Sequence, residues 1–245
     1  MTALLASVRS SEEALDAAQA GAELIDLKEP GSGALGDVSL PEIVRIVAML
    51  RATYPVKPIS ATIGDVSTEA IDEITERVLE VSNTGVDYVK VGVTPGAAAR
   101  RCLVELANLP AAVMPVLLCD VGIDVELTRF AAELGFAGIV FDTAIKDGRT
   151  IFDCVEADTL AVCLRAAGKH GAMTGLAGSL GWPQLAEIRE LAPDIVGFRT
   201  ALCEGGRAGR LDPVRVAQWA DALHRSVVAG ALGGGLGLSV LDGQG

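Results

Sequence analysis

The chain has 245 residues, half of them hydrophobic, with 20 Lys and Arg against 32 Asp and Glu and a formal net charge of −12. That length suits one barrel domain, and that hydrophobic share supports a large core. The acidic balance excludes nucleic acid and an anionic membrane surface as main partners, so an anionic ligand would need a local cationic pocket.

Short apolar, β-branched runs alternate with longer amphipathic ones in eight pairs. Strands are expected at 3–8, 23–28, 57–63, 87–93, 113–120, 138–143, 172–177 and 194–199. Helices are expected between them at 11–20, 41–53, 67–83, 97–107, 124–134, 156–169, 183–191 and 213–227. Eight βα units imply a parallel sheet closed into a (β/α)8 TIM barrel over residues 1–228. Ser10 with Glu13, and Ser39 with Glu42, read as capping boxes. Asp212 followed by Pro213 opens the last helix. Gly21, Gly85, Gly135 and Gly171 stand where left-handed helix ends are wanted. Residues 229–245 are glycine-rich without periodicity and are expected to be disordered.

No apolar run reaches 18 residues, so no membrane span is expected, and the early charges of MTALLASVRSSEEAL do not suit a signal peptide; a cytoplasmic protein is expected. Five cysteines, an odd number without a CxxC pair, offer neither zinc spacing nor a disulfide framework. Cys119 and Cys163 lie in apolar stretches and read as small core residues. His170 and His224 fall near expected helix ends, so neither a histidine triad nor a metal site is expected.

The five lysines carry the functional signal. The chain uses 15 arginines elsewhere, yet Lys28, Lys90 and Lys146 all fall at or just past the C-terminal ends of strands two, four and six. That end of a barrel carries the active site, and alternate strands aim side chains into one layer. Strand parity puts Asp26 with Lys28, and Val140 with Asp142, on shared faces, so Asp26, Lys28, Lys90 and Asp142 converge if those faces point inward. Surface ion pairing, as Lys28–Glu29 or Lys146–Asp147, is the plain alternative; three of five lysines on one rim favours a site. A lysine crowded by other cations in a dry site has a lowered pKa, and a neutral amine attacks aldehydes and ketones to form a Schiff base.

Anion-friendly residues gather after strands seven and eight, the usual phosphate site of barrels. They are Gly178 and Ser179, then Arg199 and Thr200, then Gly205 and Gly206 in an arginine-rich loop. Asp65 is a weaker substrate-binding candidate beside Asp26. Gly31, Gly33 and Gly36 spell GxGxxG, but no helix opens there and no acid follows at 56, so a dinucleotide site is rejected in favour of a mobile loop over Lys28. Asp26-x-Lys28 matches the start of the DxKxxD pattern of sugar-phosphate decarboxylases, whose third acid would fall on Gly31.

The segments IDLKEPGSGALG (25–36), SATIGD (60–65), DYVKVGV (87–93), FDTAIKDGRTIFD (141–153), LAGSL (176–180) and DIVGFRTALCEGGR (194–207) resemble those of the (5-formylfuran-3-yl)methyl phosphate synthase family, from about residue 4 to 225. The resemblance implies a lyase of methanofuran biosynthesis. It would join two glyceraldehyde 3-phosphate molecules with loss of phosphate and water, without metal or organic cofactor. By that resemblance Lys28 of DLKEP is the Schiff-base lysine, Lys90 of YVKVG moves the proton, and Asp142 and Lys146 of DTAIKDG serve later steps. The carbon nucleophile would add to the aldehyde of the second triose phosphate. The partner is then a small phosphorylated aldehyde; a homo-oligomer is compatible. A class I aldolase, a sugar-phosphate decarboxylase and a non-catalytic assembly barrel are the rival readings.

Overall fold

The computed structural model describes residues 1–225; the glycine-rich tail lies outside the described residues. The chain order is β1 (Ala3–Val8), α1 (Ser11–Gln19), β2 (Leu24–Leu27), α2 (Leu40–Thr53), β3 (Ile59–Thr62), α3 (Ile71–Ser82), β4 (Tyr88–Val93), α4 (Ala99–Ala107) and β5 (Val113–Leu118). It continues with α5 (Val125–Glu133), β6 (Gly138–Asp142), α6 (Ile151–Cys154), α7 (Ala157–Lys169), β7 (Met173–Leu176), α8 (Leu185–Leu191), β8 (Ile195–Phe198) and α9 (Pro213–His224). Every strand pairs in parallel with its sequence neighbours, and β8 closes onto β1, so the sheet is the expected eight-stranded barrel. No described helix is long and apolar enough to cross a membrane.

Two apolar layers follow from strand alternation. Residues of one parity, such as Leu4, Ala6, Ile25 and Ile59, pack outward against the helices. Those of the other parity, including Leu5, Leu24, Met114, Val116, Val140 and Ile195, fill the barrel. Space inside is tight: a Cβ on Gly138 would stand 2.6 Å from Met114 Cε and 3.0 Å from Met173 O. Cys119 and Cys163 are buried, as their apolar surroundings led one to expect.

The helix signals are partly realised. Asp212 caps α9 by accepting from Val214 N at 2.8 Å, and all four expected glycines take positive φ. Ser10 accepts from Glu13 N at 3.3 Å, but the Glu13 carboxylate turns away to Arg9 N and Arg199, leaving half a capping box. Ser39 makes no cap bond, because Glu42 instead accepts from Ser11 Oγ at 3.2 Å. One turn of helix, α6, was not expected; Asp153 nucleates it by accepting from both N and Oγ1 of Thr150, at 2.7 and 2.8 Å.

Glu13 and Arg199 form a buried pair, with Nη1 2.5 Å from Oε2 and Nη2 3.1 Å from Oε1. Burial works against the Glu13 carboxylate, but the Arg199 guanidinium outweighs it and holds the group below its ordinary pKa. Breaking such a pair strands a charge. Glu13→Ala is expected to destabilise the fold by about 3–5 kcal/mol in urea unfolding; a loss under 1 kcal/mol would remove the pair from the supports of the barrel.

Candidate active site

The strands deliver the expected side chains to one place. Asp26 on β2 stands in register between Ser7 of β1 and Ser60 of β3. Both hydroxyls donate to it, at 3.0 and 2.7 Å, and Lys90 Nζ of β4 lies 3.1 Å from Oδ1. Asp26 is 0% exposed and Lys90 3%. Lys28 N still bonds Val8 O at 2.9 Å, so the β2 alternation carries past Leu27 and returns the Lys28 side chain to the face of Asp26. At the end of β6, Asp142 Oδ1 accepts from Lys146 Nζ at 2.9 Å and from Thr143 N at 2.7 Å. Lys146 also donates to Thr143 O at 2.5 Å.

Lys28 differs from its neighbours. It is 6% exposed, yet among the described residues its ammonium donates no hydrogen bond. Burial lowers its pKa to about 8 against the opposing pull of Asp142 and Asp26, with Lys90 and Lys146 adding to the lowering. Roughly a tenth of such an amine is neutral at pH 7, against roughly one in 2,500 for a lysine in water. The two acids behave oppositely. Burial would raise Asp26, but Lys90 and Lys28 reverse it; burial would raise Asp142, but Lys146 and Lys28 reverse it. The site is therefore two carboxylates kept ionised and one amine that gives up its proton far more readily than a lysine in water. Burial pushes the nearby Cys119 thiol well up, which leaves it unreactive.

Lys28, Lys90, Asp142 and Lys146 line one cleft at the C-terminal end of the barrel, together with Gly178, Ser179, Arg199, Thr200 and Arg207. The hollow and its open mouth together hold about 540 Å³ of empty space. Gly178 takes φ 109° and Ser179 φ 52°, so this turn is wound left-handed at the cleft wall.

Several expected binding residues have other duties. Arg199 lines the cleft, but its donors are spent within the protein, on Glu13, Ser7 O, Arg207 O and Gly209 O, which ties neighbouring loops together. Gly205 and Gly206 sit in the outer turn of the loop after β8 and do not line the cleft. Asp26 is fully buried, and its charged partner is Lys90. Asp65 accepts from Ala34 N and Leu35 N, at 2.7 and 2.8 Å, and so pins the loop beside Lys28. That loop is held in place where a mobile one was expected, and a Cβ on Gly33 would come 1.9 Å from Asp65 Oδ2.

Sequence reasoning missed Ser7 and Ser60, whose signal was a hydroxyl at an inward position of an apolar strand. It also missed Asp120, which grips the loop carrying Lys146 through Ala144 N and Ile145 N, both at 2.7 Å. Arg207 was read only as part of an arginine-rich loop.

Barrel, rim position and a buried amine between two carboxylates define the class: a (β/α)8-barrel enzyme whose mouth gathers lysines and aspartates. Solved barrels share the fold. Phosphoribosyl anthranilate isomerase from Thermus thermophilus superposes with a TM-score of 0.64 at 13% identity, covering 91% of this chain and 98% of that one. 3-Hexulose-6-phosphate synthase from Salmonella typhimurium gives 0.59 at 19% identity, covering 91% and 100%. The sequence goes further than the fold. The profile of the 4-HFC-P synthase family matches residues 4–220, and the chain belongs to that family. It is 30% identical to the (5-formylfuran-3-yl)methyl phosphate synthase of Archaeoglobus fulgidus, over 90% of this chain and 99% of that protein. It is 33% identical to the enzyme of that name from Methanothermobacter thermautotrophicus, over 86% and 95%. A Methylorubrum extorquens protein provisionally given the same name is 38% identical, over 90% and 91%.

The lowered Lys28 pKa has a thermodynamic sign. Between about pH 8 and the ordinary lysine value near ~10.4, the unfolded chain holds a proton that the folded chain lacks, so stability rises with pH there. Lys28→Met is expected to be at least as stable as the parent at pH 7 in urea unfolding, with its advantage shrinking by pH 9.5. A variant clearly less stable at pH 7 would contradict the burial cost assigned to Lys28.

Proposed function

We propose that the protein condenses two glyceraldehyde 3-phosphate molecules to 4-(hydroxymethyl)-2-furancarboxaldehyde phosphate, releasing one phosphate and two waters, for a methanofuran-type carrier. The observation that carries this reading is Lys28: a buried amine without a hydrogen-bond partner among the described residues, brought to a pKa of about 8 at the barrel mouth. Such an amine is neutral often enough to attack a carbonyl and acidic enough, once an iminium, to draw electrons from the next carbon.

Lys28 condenses with the aldehyde of one triose phosphate and expels water. The iminium acidifies C2, and the Lys90–Asp26 pair takes that proton. The enamine then expels phosphate from C3. This step breaks a carbon–oxygen bond, which makes the enzyme a carbon–oxygen lyase; the Lys146–Asp142 pair supplies charge to the departing group. The fragment left has an enol whose C3 is nucleophilic. The ring pattern of the product places the phosphomethyl group one carbon from the ring oxygen's neighbour. The new bond therefore joins C3 of the first triose to C2 of the second, which reacts as its ketose isomer after its C2 proton moves to C1 and its C2 hydroxyl proton to the C1 oxygen through an enediol. This corrects the expectation that the aldehyde is the acceptor. Closure of the C1 hydroxyl onto the first triose's C2 carbonyl and loss of two waters make the ring aromatic. Hydrolysis of the imine returns the water of its formation and frees Lys28. Gly178, Ser179 and Thr200 at the cleft wall suit the retained phosphate.

Incubation with glyceraldehyde 3-phosphate and borohydride, followed by digestion, is expected to place the reduced adduct on Lys28; an adduct only on another lysine would overturn the assignment. Lys90→Ala and Lys146→Ala are each expected to lower furaldehyde formation, read by ultraviolet absorbance, by at least ~100-fold. With wild-type protein, kcat/KM should rise with pH through about 8, as the free amine appears. Turnover yielding an aldol or decarboxylation product without furan absorbance would favour the rival barrel chemistries.

A further inference from the structure

Two arginines line the cleft outside the lysine chemistry; Arg199 is paired with Glu13, and Arg207 is the other. It is half-buried, and among the described residues it forms no ion pair with a carboxylate. Its recorded partners are neutral: Nη2 donates to Gly33 O at 2.6 Å and Ala34 O at 3.2 Å, and Nε to Pro30 O at 3.5 Å. Nη1 has no hydrogen bond among the described residues. Burial works against the guanidinium, and the carboxylates close enough to oppose that are Asp142 and Asp65. Each is already engaged, Asp142 with Lys146 and Asp65 with two loop amides. The cleft thus holds five basic side chains; Glu13 pairs with Arg199, and the other four, Lys28, Lys90, Lys146 and Arg207, stand around two carboxylates, Asp26 and Asp142. Even with Lys28 neutral, a positive charge is left over in a protein whose net charge is −12.

We propose that Arg207 binds the phosphoryl group of a triose phosphate in this cleft, through its open Nη1 edge, while its Nη2 keeps hold of the loop over residues 30–36 beside Lys28. The inference rests on the phosphorylated-substrate reading above and gives the binding of phosphate to Arg207, where sequence reasoning had placed Arg199. The two arginines divide the work. Arg199 spends its donors on Glu13 and on the carbonyls of Arg207 and Gly209, and so holds in place the loop that presents Arg207. A guanidinium bonded only to neutral carbonyls still lacks a counter-charge, and a phosphate dianion supplies it together with oxygens that suit the planar fork. The same side chain reaches from the loop after β8 to the loop after β2, so phosphate bound there is tied to the wall beside the imine-forming amine.

The test uses the full chain and inorganic phosphate in titration calorimetry. Arg207→Gln is expected to weaken phosphate binding roughly 10- to 100-fold, Arg207→Lys to weaken it less, and Arg210→Gln to leave it unchanged, since Arg210 pairs with Glu12 at the surface. Phosphate affinity in Arg207→Gln within twofold of wild type would overturn the proposal, as would wild-type protein that does not bind phosphate. If Arg207→Gln does not fold, Arg207→Lys decides: undiminished affinity there overturns the proposal. Borohydride trapping with unphosphorylated glyceraldehyde separates the two readings. Lys28 labelling equal in wild type and Arg207→Gln, with trapping by glyceraldehyde 3-phosphate weakened in the variant, supports the phosphate role. Loss of labelling by both aldehydes in Arg207→Gln would make Arg207 a structural strap and overturn it. Absence of a Lys28 adduct in wild type, with phosphate binding still dependent on Arg207, would fail the imine chemistry alone.

Discussion

The cost of burying amines organises this molecule. Three lysines and two aspartates are packed at the mouth of the barrel, and water is largely excluded from them. A buried charge is tolerated only when paired and hydrogen-bonded. Lys90 and Lys146 each have a carboxylate at hydrogen-bonding distance. Lys28 lies between those two pairs and has neither carboxylate to itself. Desolvation wins at that position, and the amine is brought to a pKa of about 8. The group we propose as reactive is the one for which the fold supplies too little compensation.

The rest of the architecture keeps that imbalance fixed. Asp26 is held by the register of β1, β2 and β3, which sets Ser7 and Ser60 on either side of it. The flanking loops are gripped by carboxylates: Asp65 holds the loop after β2, and Asp120 the loop after β6. Glu13 and Arg199 do the same for the loop after β8. Each grip is made of backbone hydrogen bonds to an ionised side chain, which are strong and directional. The chemistry sits on strand ends, and the loops that shape it are tied back to neighbouring strands.

Much of this was legible in the sequence, for identifiable reasons. Strand alternation is local, so Asp26, Lys28, Lys90 and Asp142 could be assigned to one interior from parity alone. Lys146 followed from its place four residues beyond Asp142. Helix ends were read correctly where the cap is a self-contained turn, as at Asp212, and incorrectly where a side chain had a distant partner, as at Glu13 and Glu42. The same distinction explains the phosphate residues. Nothing in the neighbourhood of Arg199 announces that Glu13, 186 residues away, will take its guanidinium. Gly205 and Gly206 fitted a phosphate pattern by composition, but the loop turns them outward. In the GxGxxG loop, Gly33 packs against Asp65 and Gly36 against Glu29 and Ser32, contacts between residues too far apart in the chain for composition to announce.

The account stands or falls on the charge state of one amine. Its most direct test is the pH dependence of Lys28 modification by an amine-reactive probe, followed peptide by peptide by mass spectrometry with the exposed Lys169 as internal reference. The account predicts half-maximal reactivity of Lys28 near pH 8. A midpoint at or above the ~10.4 of a lysine in water would contradict it.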